Sequence, residues 1–310
     1  MTLEQLRIFV AVAEREHVTR AAADLNLTQS ATSAAIAALE ARYAIKLFNR
    51  IGRRIELTQA GRQFLVEARA VLARAAAAET VLADIAGLKR GSLTLAASQT
   101  VGNYWLPPLM HRYRVTYPGI TLALTIGNTE AVAAKVREGV ADLGFVEGPI
   151  DDQALSVTPV AEDEMVLVVS PALPRPKRQT ILPADLKAMP WVFREPGSAT
   201  RALFEKAVAK AGLRISDIEM VLELPSNEAV RAAVEDAAGA AVLSKLVVAA
   251  SIEAGSLIDL NFGLPKRMFF ALRHKDRSIT QPERELFKLI DALPQPTSRR
   301  TAHSSRPKRH

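Results

Sequence analysis

The stretch Ala21-Ala22-Ala23-Asp24-Leu25-Asn26-Leu27-Thr28-Gln29-Ser30-Ala31-Thr32-Ser33 decides how this chain of 310 residues is to be read. Three consecutive alanines are small enough for another helix to cross closely, Asn26-Leu27 interrupts the helical pattern, and Thr28 is an N-cap residue placed to start a new helix. Ile36, Leu39 and Tyr43 share one face of that new helix, and upstream Leu3, Leu6, Val10 and Ala13 recur at helical spacing. The pattern predicts a first helix ending near His17, a short second helix over 19–25 and a third after Thr28, the last two joined by a tight turn as a helix-turn-helix. Thr28, Gln29, Ser30, Thr32 and Ser33 are then expected at the exposed start of the third helix, where glutamine pairs with adenine and hydroxyls contact bases or phosphates. Taken alone, these five residues fit an ordinary polar helix start equally well.

The next segment favours DNA. Arg42, Lys46, Arg50, Arg53 and Arg54 all precede the next acid, Glu56. The run Asn49-Arg50-Ile51-Gly52-Arg53-Arg54-Ile55-Glu56-Leu57 alternates short apolar residues around a glycine, as a small hairpin or wing does, with its arginines aimed at phosphates or the minor groove. Thr58 is placed to cap a long fourth helix in which Phe64, Ala68, Val71, Ala75, Ala78, Leu82 and Ile85 recur at spacings of four and three. That spacing is the seam of a dimerisation helix; a helix packed on its own domain is the competing reading.

The same thirteen residues, with Ile36, Leu39-Glu40, Leu47-Phe48, Arg50, Leu57-Thr58 and Gly61, resemble without a gap the signature of LysR-type transcriptional regulators. The resemblance implies an N-terminal all-α winged helix-turn-helix, a long linker helix that dimerises, and a C-terminal α/β two-lobed effector domain like a periplasmic binding protein. It places Gln29, Ser30 and Ser33 against DNA bases or backbone and Arg50, Arg53 and Arg54 in the wing.

Beyond a polar joint at 87–91 the pattern changes to short apolar runs alternating with helices, which predicts an α/β region with mainly parallel strands. Strands are expected over 93–97, 121–126, 142–146 and 165–170, helices over 105–117 and 131–137, and a second lobe around 163–266 before the chain returns to the first. In such sheets ligands bind at strand-to-helix turns, where loops and helix N-termini present backbone donors. Four such turns carry Ser98, Gln99 and Thr100; Gly127, Asn128 and Thr129; Glu147; and Glu195, Ser198 and Thr200. If they face one another across a cleft, they form a site for a small anion, although turn chemistry alone explains any one of them. These loops, with Tyr117-Pro118 and Arg194-Glu195-Pro196-Gly197-Ser198-Ala199-Thr200-Arg201, resemble the branch of the family that regulates sulfite reduction, cysteine synthesis and carbon fixation. Ala199 departs from the branch, where glycine is usual, and Glu147 stands where it would oppose an anion.

The domain boundaries expected are 1–58 for DNA binding, 59–90 for the linker and hinge, 91–293 for the effector region (first lobe 91–162 and 267–293, second 163–266), and 294–310 for a disordered basic tail. The formal charge of +7 divides unevenly. Residues 1–90 hold 13 bases and 9 acids, residues 91–293 hold 22 and 24, and the last seventeen hold 5 and none. Most of the net charge therefore belongs to the tail, and the case for nucleic acid rests on the run from Arg42 to Arg54. Zero cysteines exclude disulfides, thiolate metal sites and a cysteine nucleophile. The five histidines are scattered, and no phosphate loop, serine elbow or zinc helix occurs, so no enzyme, metal or cofactor is expected. Asp151-Asp152 and Glu162-Asp163-Glu164 read as solvated loop acids. Met1-Thr2-Leu3-Glu4-Gln5 lacks a signal peptide's basic start, and no apolar run approaches ~18 residues, so a cytoplasmic protein without a membrane span is expected. The expected partners are palindromic double-stranded DNA, a small anionic metabolite and a second or fourth copy of the chain. Two other classes stay open: a small-molecule-binding protein whose N-terminal region serves assembly, and a nonspecific nucleoid protein.

Overall fold

The computed structural model describes residues 1–51, 54–85, 91–148, 150–176 and 180–293. The N-terminal unit packs α1 (Leu3–Arg15), α2 (Val18–Asp24) and α3 (Gln29–Tyr43) around Leu6, Phe9, Val12, Ala21 and Leu39. Each start is capped as the sequence demands: Thr2 forms a capping box with Gln5, and Thr28 Oγ1 accepts from the amide of Ala31. β1 (Phe48–Ile51) and β2 (Arg54–Leu57) pair antiparallel as the wing. The Glu40 carboxylate anchors the wing's root, accepting from the amides of Leu47 (2.8 Å) and Phe48 (3.2 Å) and from Lys46 Nζ (2.9 Å). Burial works against that carboxylate, but these hydrogen bonds outweigh it and hold Glu40 below the usual carboxylate range.

The long helix α4 spans Gln59–Ile85. Thr58 starts it, donating to the carbonyl of Lys46 and accepting from the amide of Gly61. Gly61 has no alternative, because a Cβ there would lie 2.2 Å from the carbonyl oxygen of Leu47. The expected seam divides. Phe64 and Ala68 pack into the chain's own N-terminal core with Leu65 and Leu72, whereas Val71 and Leu82 stay exposed, Leu82 by 67%. The side chain of Ile85 lies outside the described residues. The middle of α4 also touches the C-terminal region. Arg69 bonds Glu14 of α1 (2.9 Å) and Glu138 (3.2 Å), Arg74 donates to the carbonyl of Asp276, and Ala73 lies so close to Gly139 that a Cβ there would come within 2.9 Å.

The C-terminal region is two-lobed. Its elements run β3 (Gly91–Ser98), a π-helical turn Val101–Trp105, α5 (Leu106–Thr116), β4 (Ile120–Gly127), α6 (Thr129–Arg137), β5 (Leu143–Glu147) and β6 (Leu155–Asp163). They continue through β7 (Met165–Val169), α7 (Pro183–Ala188), β8 (Trp191–Arg194), α8 (Ala199–Lys210), a 3-10 turn Ile215–Asp217, β9 (Met220–Leu224), α9 (Asn227–Glu235), β10 (Ala241–Ser244), α10 (Lys245–Glu253), β11 (Ile258–Leu260), β12 (Arg267–His274) and α11 (Gln281–Asp291). One sheet has the order β4-β3-β5-β12-β6, another β10-β7-β11, and β8 pairs β9. The strands are mixed rather than mainly parallel. β12, re-entering the first lobe from the second, runs antiparallel to β5 and β6, and in the separate sheet β10 and β11 run antiparallel to β7. The chain crosses between the lobes twice, after β6 and before β12, and the two crossings lie side by side with Asp163 opposite Arg267.

The joint at 86–90, including Lys89-Arg90, the wing tip Gly52-Arg53, and the tail 294–310 lie outside the described residues. Among the described residues, no helix is long and apolar enough to cross a membrane.

Candidate functional site

Two surfaces carry the residues singled out in the sequence. On the first, α3 presents Gln29 and Ser30 to solvent and Ser33 half-buried, at the helix start that Thr28 caps. Thr28 is therefore partly spent, since its hydroxyl lies 3.0 Å from Ser30 Oγ and accepts from Ala31. Thr32 does not belong to this face. It is fully buried, and its hydroxyl donates to the carbonyl of Thr28, as threonine does to the preceding turn of a helix. Thr32, Ile36 and Leu39 fall at i, i+4 and i+7, so the threonine occupies the core stripe of α3. Tyr43, the next position of that stripe, emerges at the helix end and is half exposed, with the Arg42 guanidinium over its ring. Arg50 and Arg54 stand in β1 and β2; their side chains, like Arg53 entirely, lie outside the described residues.

The second surface is assembled from distant segments. Ser98, Gln99, Gly127, Asn128, Thr129, Glu147, Ser198 and Thr200 line one small pocket between the lobes, together with Arg194 and Ala199. Its volume is about 10 Å³, the room of one water. Thr100 lies behind it and Glu195 beside it, the latter in a two-pronged ion pair with Arg194 at 2.7 and 2.8 Å. Both α6 and α8 start at this pocket: Asn128 caps α6 through its side chain, whereas the Ser198 hydroxyl, although buried, forms no cap on α8. Thr129 Oγ1 is buried with no hydrogen-bond partner. Two helix starts and two uncommitted hydroxyls converge, an arrangement that favours negative charge.

A network that sequence reasoning missed ties the pocket's walls together. Arg267, about 5% exposed, donates to Asp163 Oδ2 (2.7 Å), Thr200 Oγ1 (3.1 Å) and Thr100 Oγ1 (3.2 Å), and its guanidinium lies 3.8 Å from the buried carboxylate of Glu147. Asn227 donates to the same Thr100 hydroxyl at 3.1 Å and accepts from Arg194. Gln99 reaches from the first lobe to the second, donating to the carbonyl of Pro225 (2.8 Å) and accepting from the amide of Asn227 (3.0 Å). Asp163 is thus no solvated loop acid. It ends β6, is buried, and also accepts from Ser244 (2.6 Å); burial pushes its carboxyl up, against the pull of Arg267.

These two surfaces agree with what the chain resembles. Residues 3–62 match the family described as bacterial regulatory helix-turn-helix protein, lysR family, and residues 86–294 match the LysR substrate binding domain. The uncharacterized HTH-type transcriptional regulator YeiE of Escherichia coli K12 is 32% identical over 293 residues, covering 94% of this chain and 97% of that protein. A probable RuBisCO transcriptional regulator of Cyanophora paradoxa is 34% identical, covering 83% and 80%. Among solved structures, full-length CbnR complexed with its target DNA shares the fold at a TM-score of 0.68 and 22% identity, over 94% of this chain and 99% of that one. The chain belongs to the LysR family: it is a DNA-binding transcriptional regulator that carries an effector-binding domain.

Proposed function

We propose that this regulator reads a palindromic promoter site in the cytoplasm as a homodimer or homotetramer, and that a small anion held between its lobes switches it. Residues 1–58 bind DNA, 59–90 link and dimerise, 91–293 sense the effector, and 294–310 add basic charge. Gln29, Ser30 and Ser33 meet the major groove, Thr28 positions them, and Arg50, Arg53 and Arg54 follow the backbone as a wing. Val71 and Leu82, apolar and exposed on α4, are what a second copy would cover. The chain acts by binding and carries out no reaction. Its acids in the cleft are engaged by arginines and hydroxyls rather than aimed at a reacting group.

The single observation that carries the anion reading is the buried, unpartnered Thr129 hydroxyl at the start of α6, facing the same pocket as the uncapped Ser198 at the start of α8. A ligand oxygen would satisfy both donors and two helix dipoles. Glu147 sets a condition on the ligand, because a buried carboxylate tolerates an anion beside it only if the anion turns a hydrogen-bond donor towards it. The route outward is α6 itself. It starts at the pocket and ends beside Glu138, roughly 13 Å away at 1.5 Å per residue, where Arg69 ties it to α1 of the DNA-binding unit. An effector changes DNA affinity only by preferring one arrangement of these parts over another.

The test is calorimetry and thermal unfolding with sulfate, phosphate, acetate and glycolate. At least one should bind and raise the unfolding temperature, and Ser198→Ala and Thr129→Val should weaken it. If none binds, or if both variants bind as the parent does, the pocket assignment is wrong.

A further inference from the structure

The small pocket adjoins a groove about a hundred times larger. This groove, of about 1030 Å³, shares Thr129, Glu147, Ser198 and Ala199 with the pocket and runs between α8 and the return segment that becomes β12. Its size matches cavities that hold organic metabolites, roughly 300–1000 Å³, and far exceeds what an inorganic oxyanion fills. The floor is apolar: Met268 and Phe270 alternate onto one face of β12 and are only half-buried, and Phe262 flanks them. On the α8 side Ala199, Ala202 and Ala207 keep the wall low, so the groove stays open.

The charges along it are not equivalent. Arg201 is held by Glu205 and Glu223, Lys266 by Glu162, and Arg267 by Asp163. Lys206 and Lys210, exposed and one turn apart on α8, form no ion pair among the described residues, yet both line the groove. Lys206 lies eight residues along α8 from Ser198, on the order of 12 Å at the helical rise.

From this geometry we infer that the effector is an organic diacid with an apolar middle. One acid group sits at the mouth of the small pocket, between the starts of α6 and α8, with a single oxygen directed into it; the hydrocarbon body lies on Met268 and Phe270, and the second acid group meets Lys206 and Lys210. The inference rests on the pocket assignment above and extends it from an anion of any kind to a chemical class. Burial of the body favours longer ligands, because each methylene removed from water contributes up to about fourfold in affinity when it is fully covered. The unpaired lysines favour a second negative charge at the far end.

The experiment is a calorimetric comparison, on the full chain, of linear dicarboxylates from malonate to sebacate with linear monocarboxylates from acetate to octanoate. Affinity is expected to rise by up to about fourfold per methylene over the length of the groove, with long dicarboxylates binding more tightly than monocarboxylates of the same length. Ala207→Trp, which fills the groove from its wall, should flatten the length dependence and leave the shortest acids unaffected. The double variant Lys206→Gln, Lys210→Gln should remove the advantage of dicarboxylates alone. Binding that is independent of length, or a length dependence that survives Ala207→Trp, overturns the groove and leaves the pocket standing. If no acid of either series binds, the groove and the pocket assignment fall together.

Discussion

The DNA-reading end and the effector cleft use polar residues in opposite ways. At the start of α3, Gln29 and Ser30 are adjacent in sequence and exposed, ready to meet a partner without disturbing the fold. In the cleft, Thr100, Asp163, Arg194, Asn227 and Arg267 come from positions up to 167 residues apart, and they satisfy one another out of water. One region is a preformed surface; the other is a latch whose internal bonds a ligand must compete with or add to. That difference separates the two roles: α3 can meet DNA through an exposed helix start, whereas a ligand acts on the cleft only by preferring one arrangement of the latch over another. Arg69 spans the two, with one ion pair to Glu14 and another to Glu138.

The largest effect is expected where the latch loses its cation. Arg267→Met leaves Asp163 and Glu147 buried without their partner and should cost about 3–5 kcal/mol in the effector region. Thermal unfolding followed separately through the two regions checks the contrast, and equal destabilisation of the DNA-binding unit would erase it. A second buried acid gives a pH signature. Burial, then the neighbouring charge of Asp142, pushes Glu283 at the start of α11 up to about 7 from 4.5. A carboxyl raised in the fold keeps a proton that the unfolded chain releases. The contribution of Glu283 to stability should therefore be fully present below about pH 4.5 and be lost as pH rises to about 7, by up to about 3 kcal/mol. Denaturant unfolding across that range should show the slope in the parent and not in Glu283→Gln.

On the DNA side the effect is smaller and leaves stability alone. Gln29→Ala should lower the preference for the specific site by about 1–3 kcal/mol, while the affinity for acids in the cleft stays constant. A loss of effector binding in that variant would mean the two regions are not separable. The smallest effect overall is expected for Arg69→Ala, a partly exposed group with two ion pairs whose loss should cost about 0–1 kcal/mol of stability. Its consequence is functional. DNA and effector should each bind as in the parent, but the change in DNA affinity caused by the effector should shrink, which paired titrations would reveal.

The same contrast governs what the sequence makes legible. The N-terminal unit is local: caps, alanines and 3.6-residue spacing are all found within sixty residues, so its helices, wing and linker can be read directly. The misplacement of Thr32 comes from weighing residue type over spacing, since its position four before Ile36 and seven before Leu39 already puts it in the core. The cleft is non-local. Its loops can be recognised one by one as strand-to-helix turns, and eight of the ten residues expected there do line one pocket. Nothing in the neighbourhood of Asp163 or Arg267 announces their pairing across 104 residues, because it exists only once β6 and β12 lie side by side. An acid within Glu162-Asp163-Glu164 looks solvated until an antiparallel partner covers it.

The central claim is that an effector in the latched cleft controls sequence-specific reading by α3. The most direct measurement is a fluorescence-anisotropy titration of the full chain on a palindromic segment of its own promoter region and on a scrambled segment. It is run at one fixed salt concentration, with and without a saturating acid that binds the cleft. The account predicts a preference for the palindromic segment of at least about 10³-fold, shifted by the acid about tenfold while scrambled DNA is unaffected. Equal affinity for both segments, or a preference that the acid leaves unchanged, would contradict it.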